Sequence, residues 1–337
     1  MSVQGSKSER KQQLANWAKA AATDLGFSLQ SDLQTVSDDA SFRRYFRLTH
    51  SGGSLICVDA PPDKEDNESF VRVQALMQAA GVAVPELLAY DMTSGFLLLT
   101  DLGDRLLLDE LKQANQAEQK ALYDAGLNTL LQVAAVKPNG LPAYDDGKLR
   151  EEMQLFPDWF LNRQLHRSNH QVPEQLLAQV MDMMVENALQ QPQVFVHRDF
   201  HARNLMLTGD DSFAVIDFQD AVVGPVTYDL VSLLKDCYWR LPRPMVLELV
   251  ETYRTFVATG VSSDQFLRWF DWMGFQRHLK CAGIFSRLNL RDDKPAYLQD
   301  IPLVISYLVE VADLYPELQE LGRWLKQDIQ PSLSELL

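Results

Sequence analysis

The segment HRDFHARN at 197–204 is followed by VIDF at 215–218. Together they set a carboxylate at Asp199, an amide oxygen five residues on at Asn204, and a second carboxylate at Asp217 behind a later apolar run. Oxygen donors in that order suit phosphoryl transfer from ATP with magnesium. Asp199 would accept the proton of an attacking hydroxyl, while Asn204 and Asp217 would hold the metal that bridges the nucleotide phosphates. The flanking residues can deliver such a geometry. Phe195–Val196 ends an apolar strand, Leu205–Leu207 starts a second, a turn follows at 209–212, and Ala214–Ile216 is a third strand with Asp217 at its end. A hairpin of this kind aims three side chains at one point.

His197, Asp199 and His201 also alternate, and on one strand face they would make metal ligands of a hydrolase. No second histidine-rich cluster supports that reading; His166 and His170 stand four apart without an acidic partner motif. His197 is expected to buttress the loop, and His201 stays open. Asp229 follows GPVTY and begins the apolar helix LVSLL, where an N-cap is the default role of aspartate.

Six passages extend this reading: DDASFRRYFRL (38–48), DAPPDKED (59–66), LLLTDLGD (97–104), EEMQLFPDWFL (151–161), VHRDFHARNLML (196–207) and VIDFQDAVVGPVTYDLVSLLKD (215–236). The chain resembles the aminoglycoside phosphotransferase and choline kinase family, relatives of the protein kinases. Within it, the chain is similar to the bacterial kinases that phosphorylate cell-wall amino sugars, N-acetylmuramate and N-acetylglucosamine, at the anomeric carbon. The resemblance implies a two-lobed α+β kinase-like fold, with residues 1–101 as N-lobe and 102–337 as C-lobe. It implies ATP and Mg²⁺ as cofactors, a small amino sugar as partner, and a role in peptidoglycan recycling. It implies that Asp229 braces the catalytic loop. Two alternatives stay open: a same-fold kinase of choline or an aminoglycoside, and a nucleotide-binding regulator without turnover.

Composition agrees with an enzyme of this size. The 337 residues are 46% hydrophobic and 23% charged, an ordinary globular balance that is long for one core. The net charge of −15 argues against nucleic acid or an anionic membrane as partner. Cys57, Cys237 and Cys281 are scattered and odd in number, which points to a reducing compartment. The polar start lacks a signal-peptide core, and no stretch is apolar enough to span a bilayer. A cytoplasmic monomer is expected.

Glu9–Leu25 has helical spacing. Residues 41–49 and 54–59 alternate around a Ser-Gly-Gly turn, Glu65–Ala80 is helical in period, and two strands follow at 84–90 and 95–100. Two features depart from protein-kinase chemistry. No glycine-rich loop covers the phosphates; SDDASFRRYF (37–46) takes its place, with Ser41 for close backbone approach and Arg43 or Arg44 for charge. Strand alternation lets at most one of that arginine pair face the nucleotide. The strand SLICVDA carries no lysine, and Lys64, at the start of the next helix, is the nearest candidate. Thr100, Asp101 and Leu102 fit the hinge that the resemblance places beside the adenine.

The acceptor is expected on the helical lobe. Glu152 and Trp159 lie on what reads as one helix, His201 and Arg203 on the catalytic loop, and Arg277, His278 and Arg287 further on. Arg277, Lys280, Arg287 and Arg291 fall within about a quarter-turn of one helix at ~100° per residue. In so acidic a chain, that stripe reads either as a solvated face or as a site for an anionic acceptor. It weighs against polycationic aminoglycosides.

Overall fold

The computed structural model describes residues 7–37, 42–167, 173–209 and 212–336. Helix α1 (Lys7–Asp24) precedes a five-stranded antiparallel sheet made of β1 (Gln34–Ser37), β2 (Arg44–His50), β3 (Gly53–Asp59), β4 (Leu87–Asp91) and β5 (Phe96–Thr100). Helix α2 (Asn67–Ala79) lies between β3 and β4, and the strand order is β1-β2-β3-β5-β4. Strand β1, paired with Phe46 and its neighbours, is an element the alternation pattern did not reveal.

Period-two alternation sorts the sheet's side chains. Leu55 and Cys57 of β3, with Phe96 and Leu98 of β5, pack against Leu14, Ala18 and Ala22 of α1. The intervening Val58, Leu97 and Leu99 face the other way and join the core of the helical lobe through Phe70 and Met77 of α2. Each fully buried side chain of this size contributes about 1.5–3 kcal/mol, so the sheet is held on both faces.

The helical lobe contains α3 (Leu107–Gln113), α4 (Gln116–Ala134), α5 (Asp146–Met153), α6 (Glu174–Leu189), α7 (Tyr228–Leu234), α8 (Arg243–Val257), α9 (Ser263–Asp292), α10 (Ile301–Leu314) and α11 (Gln319–Trp324). Helix α9 runs through its centre and is buried on nearly every side between Phe266 and Ser286. Glu152 and Trp159 are not on one helix. Helix α5 stops at Met153, and Phe156–Gln164 winds as a wider π-helical segment. The joint at Leu155 presses on α9 where Gly283 leaves room: a Cβ there would lie 2.3 Å from the Leu155 carbonyl carbon.

Two short ribbons replace the single expected hairpin. Strand β6 (Gln193–Val196) pairs with β9 (Val222–Pro225), and β7 (Leu205–Leu207) pairs with β8 (Phe213–Val215). The catalytic loop therefore leaves one ribbon and enters the other.

Candidate active site

Asp199 lies on the loop between β6 and β7, Asn204 at the entry of β7, and Asp217 just past β8. The Asn204 amide Nδ2 donates to the Asp199 carbonyl (2.9 Å) and reaches Asp217 Oδ2 (3.4 Å); Gln219 Nε2 donates to Asp217 Oδ1 (2.8 Å). His197 ties the two ribbons together: its Nε2–H donates to the Ile216 carbonyl (3.1 Å) and its Nδ1 accepts from the Asp199 N–H (3.2 Å). That pattern requires the neutral ring, and burial lowers its pKa to about 4. Asp229 sits inside the first turn of α7 and does not cap it. Its carboxylate accepts from the backbone N–H groups of His197 (2.6 Å) and Arg198 (3.0 Å). Burial raises Asp229 to about 7, against those two donors. Arg198 and Asp217 both hold left-handed backbone (φ 77° and 63°), a strain of order 1–3 kcal/mol each that such surrounding bonds sustain.

Burial by itself would raise the Asp199 carboxyl. The positive charges of Lys280, Arg277 and Arg198 more than offset it and hold the group well below the usual carboxylate range. Glu152 lies beneath this charge cluster and is buried. It accepts from the Tyr144 hydroxyl, from Arg198 and from Lys280 Nζ (3.3 Å), so it is a counter-charge to the cations of the cleft.

These groups share a cleft of about 840 Å³. Its sheet-side end is walled by Val36, Ile56 and Leu99 above, and by Leu106, Met206 and Ile216 below, with Thr100, Asp101 and Leu102 along the back. An apolar slot backed by a backbone turn suits a flat aromatic base. Asp101 offers no side chain to a ligand: its carboxylate takes Arg47, Ser54 Oγ (2.6 Å) and the Gly103 N–H (3.0 Å). Arg47 and the apolar walls escaped the sequence reading; the alternation of β2 and β3 was the signal that places Tyr45, Arg47 and Ile56 on one face.

The cations proposed for the phosphates lie elsewhere. Asp59 shares the α1 face of β3 with Leu55 and Cys57, and there it binds Arg10 of α1 as well as Arg44. Arg44 is thereby turned from the cleft. Arg43 is buried beside the Phe70 ring (5.6 Å) and pairs with Glu65 (3.2 Å). Lys64 is exposed in the turn ahead of α2, near Asp63 and the Phe42 ring. None of the three is among the described residues lining the cleft. Ser41 lies outside the described residues.

At the other end, His201, Arg203, Arg277, Lys280 and Arg287 all line the cleft. The cationic stripe of α9 is an inner wall and not a solvated face, except at Arg291, which is exposed and pairs with Asp292 (2.8 Å). Lys280 is bound to Glu152 and to the Tyr228 hydroxyl (3.0 Å). Arg287 is half-buried, and its Nε has no hydrogen-bond partner. The Arg203 guanidinium stacks on the Tyr238 ring at 3.5 Å. Two candidates fall away from the acceptor. His278 is buried behind α9, bonded to the Lys235 carbonyl (2.9 Å) and stacked on Tyr307. Trp159 carries the Arg163 guanidinium on its ring (4.1 Å) outside the cleft, because the π-helical segment rotates it away.

Among the described residues, no three His, Cys, Asp or Glu side chains converge as a metal cluster. Asn204 and Asp217 lie side by side, and an amide oxygen with a carboxylate is a small hard-donor set that would leave most positions to water and phosphate, a set that fits magnesium.

A family model described as a phosphotransferase enzyme family matches residues 32–261. The chain belongs to this family. It is similar to the N-acetylmuramate/N-acetylglucosamine kinase of Pseudomonas aeruginosa, with 44% identity covering 94% of this chain and 96% of that protein. The protein of the same name from Neisseria meningitidis is 41% identical, covering 93% and 94%. Among solved structures, the fold is shared with the ADP-bound aminoglycoside phosphotransferase APH(2'')-Ib (TM-score 0.57, 13% identity, 88% of this chain and 98% of that one). It is shared also with the choline kinase LicA from Streptococcus pneumoniae (TM-score 0.62, 12% identity, 88% and 99%). The two-lobed, kinase-like α+β architecture of this phosphotransferase thus stands on both sequence and shape. No helix of the described residues is long and apolar enough to cross a membrane.

Proposed function

We propose that this phosphotransferase moves the γ-phosphoryl of ATP onto the anomeric hydroxyl of N-acetylmuramate and N-acetylglucosamine. The observation that carries the acceptor is the closed end of the cleft: a wall of Arg277, Lys280 and Arg287 in a chain of net charge −15, beside the carboxylate of Asp199. Such a wall suits a sugar acid and disfavours a polycation. The names of the P. aeruginosa and N. meningitidis relatives agree with it.

In this reading adenine enters the apolar slot at the hinge, and Asn204 and Asp217 would hold magnesium, which would supply positive charge to neutralise the phosphates. Asp199 accepts a hydrogen bond from the sugar hydroxyl and aligns it for in-line attack. A carboxylate held so far below its usual range is a weak base. Its proton comes late, and an anomeric hydroxyl, more acidic than other sugar hydroxyls, asks the least of it. Most of the rate then rests on positioning and charge. Arg287, with an unsatisfied nitrogen, takes the lactyl carboxylate of muramate. A donor of this kind and three free thiols fit a reducing, cytoplasmic setting.

The test is a panel of both sugars, choline and an aminoglycoside, with ADP release measured and the product read by phosphorus NMR. A 1-phosphate of each amino sugar is expected. Preference for choline or the aminoglycoside, or a phosphate elsewhere on the ring, overturns the acceptor; ADP release with none of them overturns the enzyme.

A further inference from the structure

Two of the three cysteines meet in the acceptor half of the cleft. Cys237 follows α7, and Cys281 stands one turn beyond Arg277 on α9. Arg277 Nη1 lies 3.4 Å from Cys237 Sγ and 3.6 Å from Cys281 Sγ, so one guanidinium nitrogen brings the two sulfurs to the same point. Both residues line the cleft, although each is buried. Phosphoryl transfer as derived above gives them no task. A bare pair of buried thiols is ordinary core packing; a pair sharing a guanidinium at the wall of an open cleft is not.

We propose that Cys237 and Cys281 form an oxidisable dithiol, converted by a peroxide into a disulfide that closes down the acceptor site. The guanidinium favours thiolate at one sulfur. Cys281 is drawn down, by its neighbour Cys237 first, against burial, and then by Arg277, whereas Cys237 is pushed up. The Cys281 thiolate attacks one oxygen of the peroxide and breaks the O–O bond. For hydrogen peroxide, the other oxygen leaves as hydroxide and is protonated to water, leaving a sulfenic acid. The Cys237 sulfur, giving its proton to solvent, attacks the sulfenic sulfur and expels the second water. Two thiols are oxidised by two electrons, and one peroxide is reduced to two waters.

Closure has a route to the chemistry. Joining the sulfurs draws them to about 2.05 Å and takes from Arg277 its thiolate partner. It also pulls on the residues either side of Cys237. The Asp236 carboxylate holds the Ala202 N–H of the catalytic loop (2.9 Å), and the Tyr238 ring packs edge-on to His201 at 5.3 Å. Cys57 serves as the internal control: it is buried between α1 and the sheet, and burial alone pushes its thiol up to about 12.

The experiment treats the full chain with hydrogen peroxide, then measures intact mass, the cross-linked peptides and ADP release with sugar or water as acceptor. The expected result is loss of two hydrogens, a single Cys237–Cys281 cross-link, at least tenfold slower ADP release, and recovery of both mass and rate with dithiothreitol. Cys57→Ser is expected to form the cross-link, and Cys237→Ser and Cys281→Ser to form none. Absence of that cross-link in the unaltered chain overturns the proposal, and so does inactivation that persists in the Cys237→Ser/Cys281→Ser double variant. The mass readout needs no acceptor, so it stands apart from the sugar assignment.

Discussion

Replacing Glu152 by Gln removes one charge from the buried floor of the cleft, and the surroundings set the cost. Glu152 is 5% exposed and Lys280 6%. One Glu152 oxygen takes Arg198, while the other takes the Tyr144 hydroxyl and Lys280 Nζ at 3.3 Å. A Gln side chain keeps one acceptor but turns a donor toward Tyr144, whose hydroxyl already accepts from Gln276 Nε2 (3.3 Å). Lys280 is then left with the Tyr228 hydroxyl. Breaking one partner of a buried ion pair costs about 3–5 kcal/mol, because the other charge stays buried and unpaired. We expect Glu152→Gln to lose about 3 kcal/mol or more in urea unfolding, with the denaturant slope unchanged. Adding Lys280→Met removes the stranded charge, so the double variant should recover more than ~1 kcal/mol of the summed single losses. A loss below ~1 kcal/mol for Glu152→Gln, or additivity within ~0.5 kcal/mol, would refute Glu152 as the counter-charge of this cluster.

Three further outcomes are expected. Asp199→Asn should lower kcat roughly 10²-fold or more while nucleotide binding, followed by calorimetry, persists; near-normal turnover removes Asp199 from the chemistry. Asp217→Ala should abolish magnesium-dependent turnover and Asn204→Ala should cost less, a carboxylate being the stronger hard-oxygen ligand; rescue of the first but not the second by high magnesium reverses that ranking. The stability that the buried histidines supply should fall away as pH drops through the histidine range. Burial lowers His197 to about 4, and His201 and His278 as well. Unfolded histidine titrates near ~6.5, so these histidines bind more protons in the unfolded chain below that pH, and the stability they contribute above ~6.5 is lost as pH falls toward about 4. His197 alone accounts for about 2 kcal/mol between pH 7 and 5, while Asp229, raised to about 7, contributes with the opposite sign over the same interval. The check is therefore on the ring itself: an NMR titration in which folded His197 protonates in the ordinary histidine range rules out the neutral buried ring.

Arg287→Gln separates the two sugars. The contact of its guanidinium with a carboxylate is of the order of 1.5–3 kcal/mol, so the KM for N-acetylmuramate should rise about tenfold or more and that for N-acetylglucosamine little. Equal effects on both sugars would leave Arg287 without a role in reading the carboxylate.

Local sequence determined four of the sheet's five strands, whose Leu55/Cys57 and Ile56/Val58 alternation reports its two faces. It also determined the spacing of Asp199, Asn204 and Asp217, because short loops between short strands leave these residues few places to go. Tertiary structure decided everything that depended on a partner distant in the chain. Asp59 took Arg10 from 49 residues away and drew Arg44 off the cleft. The stripe of α9 became an inner wall because helices and a π-helical segment cover that helix on nearly all sides, so its period marked a face without saying what lay against it. Glu152, read as a ligand for sugar, became the counter-charge of Lys280 and Arg198, and Cys237, past the end of α7, met Cys281 of α9. A period encodes where a side chain points. The charge or thiol that meets it there is fixed only when separate elements pack, since burial makes an unpaired charge too costly to leave alone.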